Sequence, residues 1–135
     1  MPLHSAASGK AVLAFLPANE REAIVRSREL ESYTSETITD VKKLRQNLAS
    51  IYATGVSYNN QEFHRGITAL AVPLFGNDGQ VIGAIALVGT SIDLDTEQLE
   101  EYAPLFVEAA ASISGRIGAA YPRHVLDYWD GKSRR

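Results

Sequence analysis

Side chains able to do chemistry are few in this chain, and they are scattered. Cysteine is absent, which removes thiol catalysis, disulfides and zinc–thiolate sites. The three histidines, His4, His64 and His124, are spread along the sequence. Ser5 and Ser8 lie near His4, but no carboxylate is placed to orient that ring, so a nucleophilic triad is not expected. No catalytic residue, metal ligand or cofactor site is expected. Two stretches suit binding instead. Asn59-Asn60-Gln61-Glu62-Phe63-His64-Arg65 is the densest cluster of hydrogen-bonding side chains, and it reads equally as a solvated turn. Ala6-Ala7-Ser8-Gly9 are all small and open a helical pattern. Amides in a first helical turn suit an anion, while small side chains also permit close helix–sheet packing.

Both stretches lead to one hairpin. Ile67–Phe75 and Val81–Val88 are apolar runs flanking Gly76-Asn77-Asp78-Gly79, the pattern of paired antiparallel strands. A loop of Asn77-Asp78, or of all four turn residues, sets Ala69 opposite Ala86, Ala71 opposite Ala84 and Ile67 opposite Val88. The other face then pairs Thr68 with Leu87, Leu70 with Ile85, Val72 with Gly83 and Leu74 with Val81. Because side chains alternate along a strand, one face is bulky and the other is paved with alanine. An alanine face is a floor, either for a ligand or for a tightly packed helix. A three-residue loop with Gly79 in a bulge would shift the register by one and mix the faces. Pro73 cannot donate to a ladder and marks an edge or a bulge.

The remaining elements must hold that hairpin. A first helix is expected from Ser5 or Ser8 to Phe15, stopped by Pro17. A second runs from Glu20 to about Arg28, with Asn19 and Glu22 as a capping box. Leu30 to Ile38 reads as a loop. A third helix follows Thr39 or Asp40, with Val41, Leu44, Leu48, Ile51 and Tyr52 on its apolar face and Gly55 as its C-cap. Val56-Ser57-Tyr58 is a short strand. The last helix spans about Asp95 to Ala120, with a stripe of Leu99, Tyr102, Ala103, Phe106, Ala110, Ile113 and Ile117. Pro104 should kink it or start it afresh. Residues 1–121 form one domain, and 122–135 a C-terminal tail; Tyr121 at its boundary and Val125, Leu126, Tyr128 and Trp129 within it are apolar and are expected to dock on the domain or on another chain.

Composition is that of a globular protein, with 45% apolar and 21% charged residues. A net charge of −3 offers nucleic acid no general attraction. Lys42, Lys43 and Arg45 read as a solvated helix face, and Lys132, Arg134 and Arg135 as part of the tail. No run approaches the ~20 apolar residues of a membrane span, and no signal peptide is evident. A cytoplasmic location is compatible with this.

Three motifs, in order, resemble those of the isocitrate-lyase-regulator-like (IclR) transcription factors. Pro2-Leu3-His4-Ser5-Ala6-Ala7-Ser8-Gly9-Lys10-Ala11 resembles the family's PLHATALGKA, and Gly55 to Gly66 resembles its GYA.D.EE...G. The hairpin resembles its A.PVFD..G.V.AALSVSGP. The likeness covers Pro2 to about Ala120. It implies an α+β, GAF-like effector-binding domain, with a central antiparallel sheet flanked by helices and a small-molecule pocket on one face. The family's helix-turn-helix DNA-binding domain, linker helix and first strands have no counterpart here, as in a truncated piece or a split gene. The resemblance carries effector contacts to Ala7, Ser8, Asn59, Ala69, Ala86 and Val88. Relatives place Asp, Cys and two Ser where this chain has Asn59, Ala69, Ala86 and Val88, which weighs against glyoxylate or pyruvate as ligand.

The expected function is therefore effector sensing for an IclR-type transcriptional regulator, not catalysis. The expected effector is a metabolite with an aromatic or aliphatic body and a polar or anionic head. Assembly as a homodimer or tetramer is expected, without direct DNA contact by this stretch and without membrane contact. The alternatives are a structural oligomerisation module without ligand and, further off, an enzyme on a GAF-like fold.

Overall fold

The computed structural model of the chain describes residues 3–27 and 29–133. Its elements are α1 (Ala7–Phe15), α2 (Ala18–Ser27), α3 (Val41–Thr54), β1 (Ser57–Asn60), β2 (Ile67–Phe75), β3 (Val81–Thr90), α4 (Thr96–Ile117) and α5 (Arg123–Ser133). The strands form one antiparallel sheet in the order β1-β2-β3, so the fold is α+β as expected. Pro2, the end of the second helix at Arg28, and Arg134 and Arg135 lie outside the described residues.

The hairpin departs from the expected register by two residues. Ala69 faces Val88 and Ala71 faces Ala86, while Pro73 faces Ala84; the expected pairs Ala69–Ala86 and Ala71–Ala84 do not form. Two separate steps produce this. The turn holds three residues, Asn77 to Gly79, inside a Gly76–Gln80 bridge of 2.9 Å, and Gly79 takes φ of 80°. A second irregularity between Leu74 and Phe75 leaves Ile82 without a partner on β2. Each step displaces the register by one residue in the same direction. Together they restore the side-chain parity that either alone would break. The alanine face therefore survives, and Asn59, Ala69 and Val88 form one row across all three strands.

Helices cover both faces. On the alanine face Ala7 and Ala11 of α1 meet Ala69, Ala71 and Ala84. On the bulky face α4 packs on β2, with Leu70 against Leu94 and Leu99, and Val72 in a cluster with Ala103, Val107 and Ala110. The expected α4 stripe is partly wrong. Leu99, Ala103 and Ala110 are buried, joined by Val107 and Ser114, whereas Tyr102, Ile113 and Ile117 are exposed. Hydropathy gives α4 two apolar stripes, and a hydrogen bond selects between them. The Phe75 N–H donates to Ser114 Oγ at 3.1 Å, which draws the serine inward. β1 ends opposite Ala71, so β2 has a free side beyond that point. Pro73 sits there, and its carbonyl accepts from the Tyr121 hydroxyl at 2.7 Å. The helix passes through Pro104 without restarting.

Local signals fix the ends of α3 and the start of α4. Asp40 caps α3, Gly55 ends it in the left-handed region, and Asp95 with Gln98 forms a capping box on α4. Two expected caps fail. α1 is capped by Ala6 rather than by Ser5 or Ser8. α2 begins at Ala18, which places Asn19 inside the helix, and Glu22 pairs with Arg45 instead. The stretch expected as a tail is helix α5, docked on α3. Val125 is fully buried, Trp129 Nε1 donates to the Thr54 carbonyl at 2.6 Å, and His124 Nε2 to that of Tyr52 at 2.6 Å.

Candidate ligand pocket

Beside the start of α1 the alanine floor is left uncovered, and a cavity of about 250 Å³ opens there. Its floor is Ile67 and Ala69 of β2 with Ala86 and Val88 of β3. Ala6, Ala7 and Ser8 at the start of α1 form one side, Asn59 of β1 the corner, and Phe63 and His64 the outer wall. All six residues expected at an effector site, Ala7, Ser8, Asn59, Ala69, Ala86 and Val88, thus border one concavity. The alanine face serves both readings at once. Ala71 has no exposure beneath α1, while Ala86, its partner across the ladder, is open to the cavity.

The polar groups around the cavity come from two places. Ala6, the N-cap of α1, has no side-chain oxygen to offer the first turn, where the helix dipole leaves partial positive charge. Asn59 is 7% exposed, and both ends of its amide are engaged. Nδ2 donates to the Ser5 carbonyl at 2.7 Å, and Oδ1 accepts from the Glu62 N–H at 2.8 Å. A carboxylate at this position could not donate to Ser5. Asparagine thus ties the start of α1 to the connection after β1.

That connection, residues 61–66, is not a loose turn. Thr34 and Thr37 donate their hydroxyls to the carbonyls of Gln61 and Glu62. Phe63 meets the Tyr33 ring edge-on at 4.8 Å. Behind the wall lies Lys10, which is 1% exposed and bonded to Glu62 at 2.9 Å. Burial pulls the Lys10 ammonium below its ordinary pKa, and the neighbouring Glu62 charge opposes that fall.

Sequence reasoning missed Ala6, Ile67, Phe63 and His64 as lining residues, and Lys10 and Glu62 as supports. Lys10 had a signal in helical spacing, since Ala7, Ala11 and Ala14 share its buried stripe. The histidines do not converge. His4 Nε2 donates to the Glu31 carbonyl at 2.8 Å, His124 is bound to Tyr52, and the His64 ring lies tilted against that of Phe63. No group of acidic and histidine side chains among the described residues could hold a metal ion. No described helix is long and apolar enough to cross a membrane. A larger hollow of about 680 Å³ lies between α2 and α3. Its mouth carries the Glu22–Arg45 pair, joined at 2.7 Å, and it lacks a sheet floor.

Residues 1–115 match the family described as bacterial transcriptional regulator IclR, C-terminal. The chain is 36% identical over 104 residues to the probable transcriptional regulator SauR of Cupriavidus necator, covering 77% of this chain and 41% of SauR. Among solved structures it resembles the Thermotoga maritima IclR, with a TM-score of 0.84 and 33% identity over 88% of this chain and 48% of that one. The C-terminal domain of the Escherichia coli regulator KdgR gives a TM-score of 0.79 and 31% identity, over 87% and 72% of the two chains. The chain spans less than half the length of the curated relatives it matches.

Proposed function

The chain belongs to the IclR family of bacterial transcriptional regulators, as the C-terminal domain, and from that premise we propose that its cavity is an effector pocket. That family is one of regulators, not of enzymes. Ligand in the pocket shifts a conformational equilibrium, which reaches DNA through a helix-turn-helix domain outside this stretch. This stretch itself makes no direct DNA contact, and it works in the cytoplasm. The observation that carries the reading is convergence: α1, β1, the connection after it, β2 and β3 all line one cavity of about 250 Å³.

The lining supports a particular chemistry. Methyl and isopropyl groups from Ala69, Ala86 and Val88 form the floor. A small, highly charged ligand would leave its buried oxygens unpaired there, at ~1–3 kcal/mol each. An aromatic or aliphatic body suits the floor, and an anionic or polar head suits the first turn of α1, Ser8 and Asn59. The volume favours a single ring over a larger compound. Covering about 100 Å² of apolar ligand surface contributes about 2.5 kcal/mol, close to two orders of magnitude in affinity. In calorimetry, benzoate should therefore bind at least about tenfold more tightly than pyruvate or glyoxylate. Glyoxylate as the tightest ligand would refute the pocket chemistry.

Assembly follows from the other end of the sheet. β3 is an edge strand, and Ile82, Tyr102, Ile113 and Ile117 are exposed. Open edges and apolar surface recruit partners, which supports a homodimer or tetramer. The same surface favours the second reading, an oligomerisation module without ligand. In that reading the cavity beside α1 has no occupant.

A further inference from the structure

The ammonium of Lys10 uses all its donors. It bonds to Asn47 Oδ1 at 3.0 Å, the Tyr58 carbonyl at 2.9 Å and Glu62 Oε1 at 2.9 Å. These acceptors lie on α3, on β1 and on the connection after β1. Lys10 itself belongs to the helix whose first residues, Ala7 and Ser8, border the cavity. Glu62 immediately precedes Phe63 and His64, the outer wall. The wall is under backbone tension, because Gln61 takes φ of 60°, a left-handed conformation unfavourable for a side chain of this kind. Such a conformation persists only where neighbours over-determine it. Here the Gln61 side chain accepts the Gly66 N–H at 3.0 Å, and Asn59 accepts that of Glu62 at 2.8 Å.

We infer that Lys10 is a positioning residue of the effector pocket: through Glu62 it fixes the Phe63–His64 wall against the first turn of α1, without touching the ligand. The inference rests on the pocket reading above. A buried ion pair is a poor source of net stability, since desolvation offsets its attraction. What it supplies is direction. An apolar pair of similar volume would fill the same space and let the wall slide.

Three variants test this. Lys10→Met removes the charge at similar length, and Glu62→Gln keeps the size and one acceptor. Lys10→Cys introduces a unique thiol, because the chain has no cysteine. Alkylating it with 2-bromoethylamine in denaturant and refolding restores an ammonium at nearly the lysine length. The readouts are amide exchange at Glu62 and Gly66 and benzoate affinity by calorimetry. Glu62→Gln should speed that exchange and weaken benzoate, each by about tenfold, and Lys10→Met by more. Exchange at Leu70 and Val72 should hold, and the alkylated variant should recover both readouts to within about twofold of the parent. If Lys10→Met does not fold, Glu62→Gln decides by the same readouts. Unchanged benzoate affinity in these variants, with Ala86→Leu still abolishing binding, would overturn the inference. If the parent chain does not bind benzoate, the pocket reading fails, and exchange alone judges the clamp: unchanged rates at Glu62 and Gly66 overturn it.

Discussion

Ala86→Leu is expected to abolish benzoate binding and leave the domain folded, whereas Ala71→Leu, directly opposite on the next strand, should damage the fold. The two alanines are partners across the ladder and share a face. Their surroundings differ. Ala71 has no exposure and packs against Ala7 and Ala11. An isobutyl group there must displace α1, and overpacking of this kind costs about 1–3 kcal/mol. That is a large part of a domain's ~5–15 kcal/mol, and it should lower Tm by the order of 5–15 °C. Ala86 looks into the cavity. A leucine fills that space without moving backbone, so stability should change by less than about 0.5 kcal/mol. Ala86→Ser should fold equally well and narrow the preference for benzoate over glyoxylate, because it returns a hydroxyl to the floor. Calorimetry with thermal denaturation on the same samples separates these outcomes. Equal Tm losses for both leucine variants would mean that the cavity is closed in solution.

Gly55→Ala should destabilise the chain by about 2–5 kcal/mol, an unusually large effect for adding one methyl group. Gly55 ends α3 at φ of 76°. The left-handed region costs a side-chain-bearing residue about 1–2 kcal/mol. The new Cβ would also lie 2.5 Å from Val125 Cγ1, and Val125 is fully buried. Relieving that clash by moving α5 would strain the bonds from His124 to Tyr52 and from Trp129 to Thr54. Adding Val125→Ala should recover the overpacking part and leave the conformational part, so the double mutant is more stable than the two single losses add up to. Urea denaturation measures each. A loss no larger than about 1 kcal/mol for Gly55→Ala would mean that α5 does not dock as described.

What was legible in the sequence divides along a physical line. Signals that act within a few residues were readable: Gly55 as the C-cap of α3, the start of α3 after Thr39 or Asp40, and the start of α4 near Asp95. The faces of the sheet were readable because parity is robust. The three-residue turn and the irregularity near Phe75 each moved the register by one, and their sum restored the expected faces from Leu74 and Gly83 onward, while Val81, expected opposite Leu74, pairs with Phe75. The register itself was not readable, since Gly76 to Gly79 accommodates several loop lengths. Features decided by partners far along the chain were missed. Ser114 is buried on account of the Phe75 amide, the burial of Lys10, hinted at by its spacing alone, needs acceptors 37 to 52 residues away, and the stretch expected as a docking tail is a helix, 123–133, on α3. For the site, the floor and the first turn were legible. The wall was legible only as a polar cluster, whose order comes from Thr34, Thr37 and Lys10.

The most direct test of the central claim is a benzoate titration followed by backbone and methyl chemical shifts. The account predicts saturable changes concentrated at Ala7, Ser8, Asn59, Ala69, Ala86 and Val88, with Ala11 and Ala71 beneath α1 nearly still. Changes centred instead on Leu16, Arg21, Arg45 and Tyr52, which border the larger hollow between α2 and α3, would contradict it.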